Sequence, residues 1–224
     1  MAVLSGKAIK KRLRLDIEDP RSLVVTPLLA RKDSFDFDSL DLRLGSYFLL
    51  PRSPGAAFYC PDEQASFLFH TRVHVPFGDF LVVPAHQTVL GATLEFIKVP
   101  SDLSGEILTK SSVARTFTMI ETAPWIHSNY RGCLTLEISN GSNTPILLYP
   151  GRPIGQLILM EVSENQGQGG DVDEIAAADS VLSSTYFGPV FPEPPDFKNP
   201  RLELSALGIR KIREIKGPTW SDIV

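Results

Sequence analysis

Residues 132–162 read GCLTLEISNGSNTPILLYPGRPIGQLILMEV. Apolar runs of strand length occupy residues 132–138, 146–149 and 154–162, and turn-forming residues separate them at 140–143 and 150–151. Short apolar runs that are bounded by Gly, Pro, Asn and Ser are typical of β-strands joined by turns. The stretch therefore predicts a sheet of short strands.

The same pattern extends over most of the chain, from about residue 22 to residue 162. Further strand-sized runs follow one another with little helix-forming sequence between them. They cover residues 40–50, 67–75, 80–83 and 88–96, with Pro- and Gly-containing breaks at 51–55 and 76–79. Many short strands at this spacing indicate an all-β barrel or jelly-roll rather than a parallel sheet with crossover helices.

The two ends of the chain have a different character. Residues 4–15 place apolar side chains near helical spacing after Ser5, a suitable N-cap, which predicts a short amphipathic helix. Residues 163–170 are rich in Gly and Gln, and residues 189–200 are rich in Pro, as in linkers and extended segments. We expect a β-barrel domain at residues 1–162 and a linker with an extended C-terminal tail at 163–224.

The overall composition excludes several classes of protein. The chain has 224 residues, of which 43% are apolar and 21% charged, which argues against a disordered chain and against a membrane protein. Its net charge of −4 argues against broad nucleic-acid binding, which needs many phosphate contacts. The Lys- and Arg-rich N-terminal segment contains no apolar run of the kind found in signal peptides. We therefore expect a cytoplasmic location, with Cys60 and Cys133 as free thiols.

A zinc site is not expected from this sequence. Zinc-dependent cytosine deaminases need a His or Cys followed two residues later by Glu, and then Pro-Cys-x-x-Cys, whereas Cys60 and Cys133 stand alone. His70 and His74 are four residues apart in a strand-like run and are interpreted as two strand histidines. The phosphate-binding loop and the dinucleotide fingerprint are also absent.

Polar residues that can carry chemistry are concentrated between residues 105 and 157. Lys110 to Arg115 read KSSVAR, with two cations and two hydroxyls in six residues. Such a turn can hold phosphate, and it is equally compatible with a solvated turn or a helix start. In the strand that follows, Glu137 shares a face with Cys133 and Thr135. A carboxylate in this position either faces solvent or serves a site.

Five motifs in this order give a specific resemblance. They are KSSVAR at 110–115, TAPWI at 122–126, YRG at 130–132, LTLE at 134–137 and PGRPIGQL at 150–157. Together with LSG at 4–6 and SLDLRLG at 39–45, they resemble the dCTP deaminase family of the dUTPase-like superfamily over residues 3–162. The resemblance implies a homotrimer of distorted jelly-roll β-barrels of the dUTPase-like type. It also implies active sites at subunit interfaces and a triphosphate that carries its own Mg²⁺.

The resemblance also implies a mechanism without zinc that converts dCTP to dUTP and ammonia. Glu137 is then the general base, acting on a water held by Ser111 and by a backbone carbonyl near Ala123, and hydroxide attacks C4 of the cytosine. Arg115 is expected to pair with Glu137 and to hold its orientation.

Substrate contacts are implied in the same way. Lys110, Ser112 and Gln156 would meet phosphate or sugar, and Thr135 would line the pocket for the base. His127 stands where the family usually has Asp, and it can still donate to the 3′-hydroxyl. In dUTPases that Asp positions the attacking water, so its replacement counts against phosphohydrolysis.

The tail carries one more similarity. Residues 216–219 read KGPT, like the closing segment of the family, which makes the tail a candidate lid and Lys216 a candidate phosphate contact. Two alternatives remain beside dCTP deamination: a dUTP diphosphatase or bifunctional enzyme, and a non-catalytic nucleotide-binding regulator on the same fold. The expected partners are dCTP, with dUTP or dTTP as inhibitors, and neither nucleic acid nor a membrane.

Overall fold

The computed structural model describes residues 2–29, 38–52, 70–121, 124–162 and 192. Within them the chain forms two helices and eleven strands. In chain order these are α1 (Gly6–Leu13), β1 (Val24–Thr26), β2 (Leu40–Pro51), β3 (His70–His74), β4 (Leu81–Val83), β5 (Thr88–Lys98), β6 (Leu103–Thr109), α2 (Ser111–Ala114), β7 (Thr118–Ile120), β8 (Trp125–Ile126), β9 (Arg131–Asn140), β10 (Ile146–Leu148) and β11 (Pro153–Glu161).

Nine of these strands form one curled antiparallel sheet. Its order is β7-β9-β5-β2-β11-β6-β8, with β1 added to β5 and β3 added to β2, while β4 and β10 form a separate ribbon. Bulges bend the long strands: the β2–β5 register shifts between Leu44 and Phe48, and the β5–β9 register shifts between Ala92 and Phe96. At the first bulge, a Cβ on Gly45 would lie 3.0 Å from the carbonyl oxygen of Ala92. The predicted all-β fold with a short N-terminal helix is confirmed.

The core fills the inside of the curled sheet. The predicted shared face of β9 is confirmed, because Leu134, Leu136 and Ile138 are all buried. Leu42, Leu44 and Phe48 of β2, Leu157 and Leu159 of β11 and Ile97 of β5 are buried in the same cluster. The alternation of buried and less buried positions along β9 leaves Thr135 and Glu137 on the opposite, partly accessible face.

Helix α1 packs against the core next to β11. The Ser5 side chain accepts a hydrogen bond from the amide of Ala8 (3.4 Å), as predicted for the N-cap, and Ile9 is fully buried. The chain before the helix pairs with the end of β11: Val3 bridges Met160, and the amide of Glu161 donates to the carbonyl of Ala2 (3.0 Å). The helix ends at Leu13, two residues before the predicted end.

A buried ion pair joins β2 to β5. Glu95 is only 1% exposed, and its Oε1 lies 2.9 Å from Nη1 of Arg43. Its Oε2 accepts the backbone amide of the same arginine at 2.8 Å, and Nη2 of Arg43 donates to the carbonyl of Leu29 at 2.7 Å. Burial raises the pKa of Glu95, and the hydrogen bonds from Arg43 offset that effect only in part.

Some predictions fall outside the described residues. Of the predicted strand 67–75, residues 67–69 are not described, and β3 covers the part from His70 to His74. Cys60 and, except for Pro192, the whole segment 163–224 also lie outside them, so the division into domain and tail stays a prediction. Cys133 is a buried free thiol, as predicted. Among the described helices, none is long and apolar enough to cross a membrane.

Candidate active site

The KSSVAR motif forms a tight turn at the end of β6. Lys110 has extended backbone geometry (φ −59°, ψ 131°) and precedes the single helical turn α2. Its carbonyl accepts the amides of Val113 and Ala114 at 2.8 and 2.9 Å, which fixes the turn. Ser111, Ser112 and Arg115 are exposed, so the hydroxyls and the guanidinium are free to meet a ligand.

Lys110 and Gln156 meet at one carboxylate. Nζ of Lys110 forms an ion pair with Oδ2 of Asp41, and Nε2 of Gln156 lies 3.4 Å from Oδ1 of the same residue. Strand register explains the contact, because Asp41 on β2 pairs with Gln156 on β11. Sequence reasoning assigned Lys110 and Gln156 to one ligand but missed Asp41, which holds the two side chains together.

Glu137 lies in the middle of β9, between β5 on one side and the end of β7 on the other. It pairs with Leu90 of β5, and Thr135 shares its face two residues away. Burial raises the pKa of Glu137 above its ordinary value of 4.5, and the negative charge of Glu121 raises it further. A carboxyl group in this state accepts and returns a proton more readily near neutral pH than an exposed one does.

Glu121 is a second carboxylate beside Glu137 that sequence reasoning missed. Its amide donates to the carbonyl of Glu137 at 2.8 Å, one step beyond the pairing of Ile120 with Ile138. Its Oε2 accepts a hydrogen bond from Oγ of Ser139 at 2.7 Å. Only the pairing of β7 with β9 identifies Glu121 as a neighbour of Glu137. The sequence does not show that pairing.

The remaining predicted site residues are spread over this part of the fold. Among the described residues, no ion pair joins Arg115 to Glu137, and Arg115 is exposed. His127 is exposed directly after β8, and its carbonyl accepts the amide of Tyr130 at 3.2 Å. Ala123 and Lys216 lie outside the described residues. Their predicted roles, and the pairing of Arg115 with Glu137, stay predictions.

The side chains that could ligate a metal ion are dispersed over the described part of the fold. The described part of the chain contains no group of three or more His, Cys, Asp and Glu side chains that could hold a metal ion. Asp41, which contacts Lys110 and Gln156, is already paired with Lys110. The expectation that the site holds no zinc, and that Mg²⁺ comes with the nucleotide triphosphate, stays a prediction.

Large apolar side chains remain exposed around the turn and the edge strands. Phe117, which follows α2, is 65% exposed at a φ of +61°, and Leu108, Met119 and Trp125 are each about 40% exposed. Exposed groups of this kind often mark surfaces that another protein covers.

The family is decided by a match that spans the barrel. A family model described as dCTP deaminase-like matches residues 3–162, the range over which the five motifs lie. The chain belongs to the dCTP deaminase-like family. Two members illustrate the similarity. A protein from Methanobrevibacter smithii is 32% identical over 70% of this chain and 79% of its own length. Another from Methanoregula boonei is 36% identical over 69% and 77%. Both carry the name "dCTP deaminase, dUMP-forming".

A solved structure in the family agrees with the fold. The 2′-deoxycytidine 5′-triphosphate deaminase from Agrobacterium tumefaciens superposes with a TM-score of 0.54 at 21% sequence identity. The superposition covers 80% of this chain and 53% of that one. The similarity confirms the predicted barrel type, and at this identity it bears on the fold alone.

Proposed function

We propose that this chain deaminates dCTP by hydrolysis, with Glu137 as the group that takes the proton from water and returns it. The observation that carries the proposal is the half-buried carboxyl group of Glu137 with its raised pKa, on the partly accessible face of β9 beside Thr135. General acid–base catalysis needs one group that can change protonation state near the working pH. A nucleotide-binding regulator has no need for such a group.

The reaction follows from two protons that Glu137 moves in turn. Glu137 removes a proton from water, the resulting hydroxide forms a bond to C4 of the cytosine, and Glu137 gives that proton to N3 of the ring. Glu137 then takes the proton of the new C4 hydroxyl and gives it to the amino nitrogen, so that the C4 carbonyl forms, the C4–N bond breaks and ammonia leaves with the electron pair of that bond. The exposed hydroxyl of Ser111 and a carbonyl near Ala123 hold the water, and Arg115 orients Glu137 in the assembled protein.

The substrate is the magnesium complex of the nucleotide. Lys110, Ser112 and Gln156 bind phosphate or sugar, and Asp41 keeps the side chains of Lys110 and Gln156 in place before the substrate arrives. Divalent cations of this kind are commonly bound through substrate phosphates with few protein ligands. Lys216 in the tail adds a phosphate contact when the tail closes over the site.

The working protein is a homotrimer in this proposal. The exposed apolar side chains of Phe117 and Trp125 would be covered by neighbouring subunits. The exposed turn that carries Ser111 and Arg115 could then face a Glu137 across a subunit boundary. The absence of an Arg115–Glu137 pair among the described residues of one chain is compatible with this arrangement.

The product requires a change from the sequence prediction, which was dUTP. The relatives from M. smithii and M. boonei are named as dUMP-forming, so we propose that dUMP and pyrophosphate follow the ammonia. One observation favours a second candidate, release of dUTP: His127 occupies the position that the family usually gives to Asp.

One experiment tests the reaction and the role of Glu137. The purified protein is incubated with Mg²⁺ and dCTP, and ammonia, pyrophosphate, dUTP and dUMP are measured separately. Glu137→Gln should lower ammonia release by about 10²- to 10⁴-fold, the contribution typical of a general acid–base group. Binding of dCTP should stay within about threefold, because the amide retains the hydrogen-bonding capacity.

Glu161→Gln is the matched control, since Glu161 is exposed at the end of β11 and should leave turnover unchanged. Turnover of Glu137→Gln within about threefold of the wild type would remove Glu137 from the mechanism. Pyrophosphate from dUTP without ammonia from dCTP would instead identify a diphosphatase.

A further inference from the structure

The candidate base Glu137 has a second carboxylate as its neighbour across the strand pair. Glu121 follows β7 directly, and its amide bonds the carbonyl of Glu137 at 2.8 Å. Because Ile120 pairs with Ile138, Glu121 continues the register opposite Glu137. Residues that lie directly opposite in an antiparallel pair point to the same face, so both carboxyl groups share the partly accessible face of the sheet.

A chain of two hydroxyls fixes the second carboxylate. Oγ of Ser139 donates to Oε2 of Glu121 at 2.7 Å and lies 2.6 Å from Oγ1 of Thr88. A serine hydroxyl has one proton to donate, and Ser139 uses it on Glu121. Thr88 must therefore donate to Ser139, and both hydroxyls point their protons towards the carboxylate. Ser139 itself is buried, at 7% exposure, so its surroundings restrict the movement of this hydrogen-bonded pair.

Among the residues of one chain that the structure describes, the other groups that face Glu137 carry no charge. From β5 its pairing partner is Leu90 and the next residue on that face is Thr88, while β9 flanks it with Thr135 and Ser139. Within the described residues, the charge that acts on Glu137 is that of Glu121, which adds to burial in raising the pKa of Glu137. Two carboxylates that share one site favour a state with a single proton between them.

We propose that Glu121 is a positioning residue of the deamination, which keeps the proton on Glu137 until the amino group of the substrate takes it. The inference rests on the proposed function, because it requires Glu137 to be the base. Both protons of the attacking water pass through Glu137, the second of them to the leaving amino nitrogen, so a neighbour that favours the protonated form of Glu137 assists the transfer. Ser139 and Thr88 hold Glu121 close enough to do so.

The test compares pH profiles rather than activity at one pH. Glu121→Gln removes the charge but preserves size and the acceptor for Ser139. The acid limb of kcat/KM reports the proton acceptor of the free enzyme, and it should move to lower pH in Glu121→Gln. At neutral pH, kcat should fall by about three- to tenfold with KM within about twofold, a fraction of the full acid–base contribution. Glu121→Asp, which retains the charge, should recover most of both effects.

A second readout does not depend on turnover. Carbon-13 titration of the glutamate carboxyl groups should show a lower pKa for Glu137 in Glu121→Gln than in the wild-type protein. Glu161→Gln, which alters an exposed carboxylate at the end of β11, should shift neither the titration of Glu137 nor the acid limb.

Each outcome separates this inference from the function on which it rests. An unmoved acid limb and an unmoved Glu137 titration in Glu121→Gln, with Glu137→Gln inactive, would overturn the role of Glu121 alone. An active Glu137→Gln would overturn the proposed function itself. Loss of activity in Glu121→Gln as deep as in Glu137→Gln at every pH would also overturn the positioning role, because Glu121 would then accept the proton directly.

Discussion

The buried pair of Arg43 and Glu95 gives a stability prediction with a defined pH dependence. The change is Arg43→Met, which keeps an unbranched side chain and the backbone amide but removes the cation. Glu95, 1% exposed, then keeps the 2.8 Å bond from the amide of residue 43 and loses the guanidinium. Breaking one partner of a buried ion pair costs about 3–5 kcal/mol. Because one charge-assisted bond survives, we expect the lower value, about 3 kcal/mol at pH 8.

The loss of stability caused by Arg43→Met should be smaller in mild acid. Burial already raises the pKa of Glu95 above 4.5, and removal of Arg43 raises it further, since the arginine's hydrogen bonds and charge act to lower it. A folded state with a raised carboxyl pKa binds the proton more readily than the unfolded chain. The contribution of Glu95 to stability is therefore most favourable at low pH. It is lost as the pH rises from about 4.5 through the pKa of Glu95 in the folded state. At pH 5 the neutral acid should leave a cost of about 1 kcal/mol, that of one lost hydrogen bond.

Urea unfolding followed by circular dichroism measures the prediction, with equal chain concentrations because subunit association adds to apparent stability. The double variant Arg43→Met with Glu95→Gln removes both charges and should recover most of the loss at pH 8. A loss in Arg43→Met below about 1 kcal/mol at pH 8, or a loss of equal size at pH 5 and pH 8, would refute the reasoning.

Three further predictions concern the site. Asp41→Asn should release Lys110 and raise KM for dCTP by about three- to tenfold with kcat nearly unchanged, as for lost ground-state binding; a fall in kcat alone would contradict it. His127→Asp should raise pyrophosphate release from dUTP by about tenfold or more, within the range of one catalytic group, while ammonia release from dCTP stays within about threefold; unchanged pyrophosphate would show that His127 does not limit that step. Glu137→Gln should unfold at higher urea than the wild type at pH 8 and at equal urea at pH 4, because the raised folded pKa of Glu137 disfavours the native state only above about 4.5.

The strands of this fold could be predicted because their signal is local. Leu134, Leu136 and Ile138 alternate with less buried residues in the sequence itself, and alternation of this kind reports one buried face wherever the strand later pairs. The N-cap at Ser5 is local in the same way. The motifs around Lys110 and Glu137 indicated the family, and the family implied the barrel fold.

The contacts within the site could not be predicted, because they depend on register between distant strands. Asp41 meets Lys110 across 69 residues, and a shift of one residue in either strand would turn the side chain to the other face. Glu121 reaches Glu137 only through the pairing of the short strand β7. The pairing of Arg115 with Glu137 depends on neighbouring subunits in the proposed trimer, which neither one sequence nor one chain contains.

The contacts between the residues before α1 and the end of β11 bring the two ends of the barrel domain close together. Val3 bridges Met160, and Ala2 accepts the amide of Glu161, so residue 162 lies near the point where the described chain begins. A circular permutant could join residue 162 to residue 2 through a short Gly-Ser linker and open the chain at Gly78. Apart from Gly78 and its two chain neighbours, no residue has an atom within 4 Å of the place where a side chain on Gly78 would start. Such a rearrangement preserves every strand pairing, and permutation succeeds at exposed turns of this kind. The new order would also put a tag or reporter at the turn before β4 rather than beside α1.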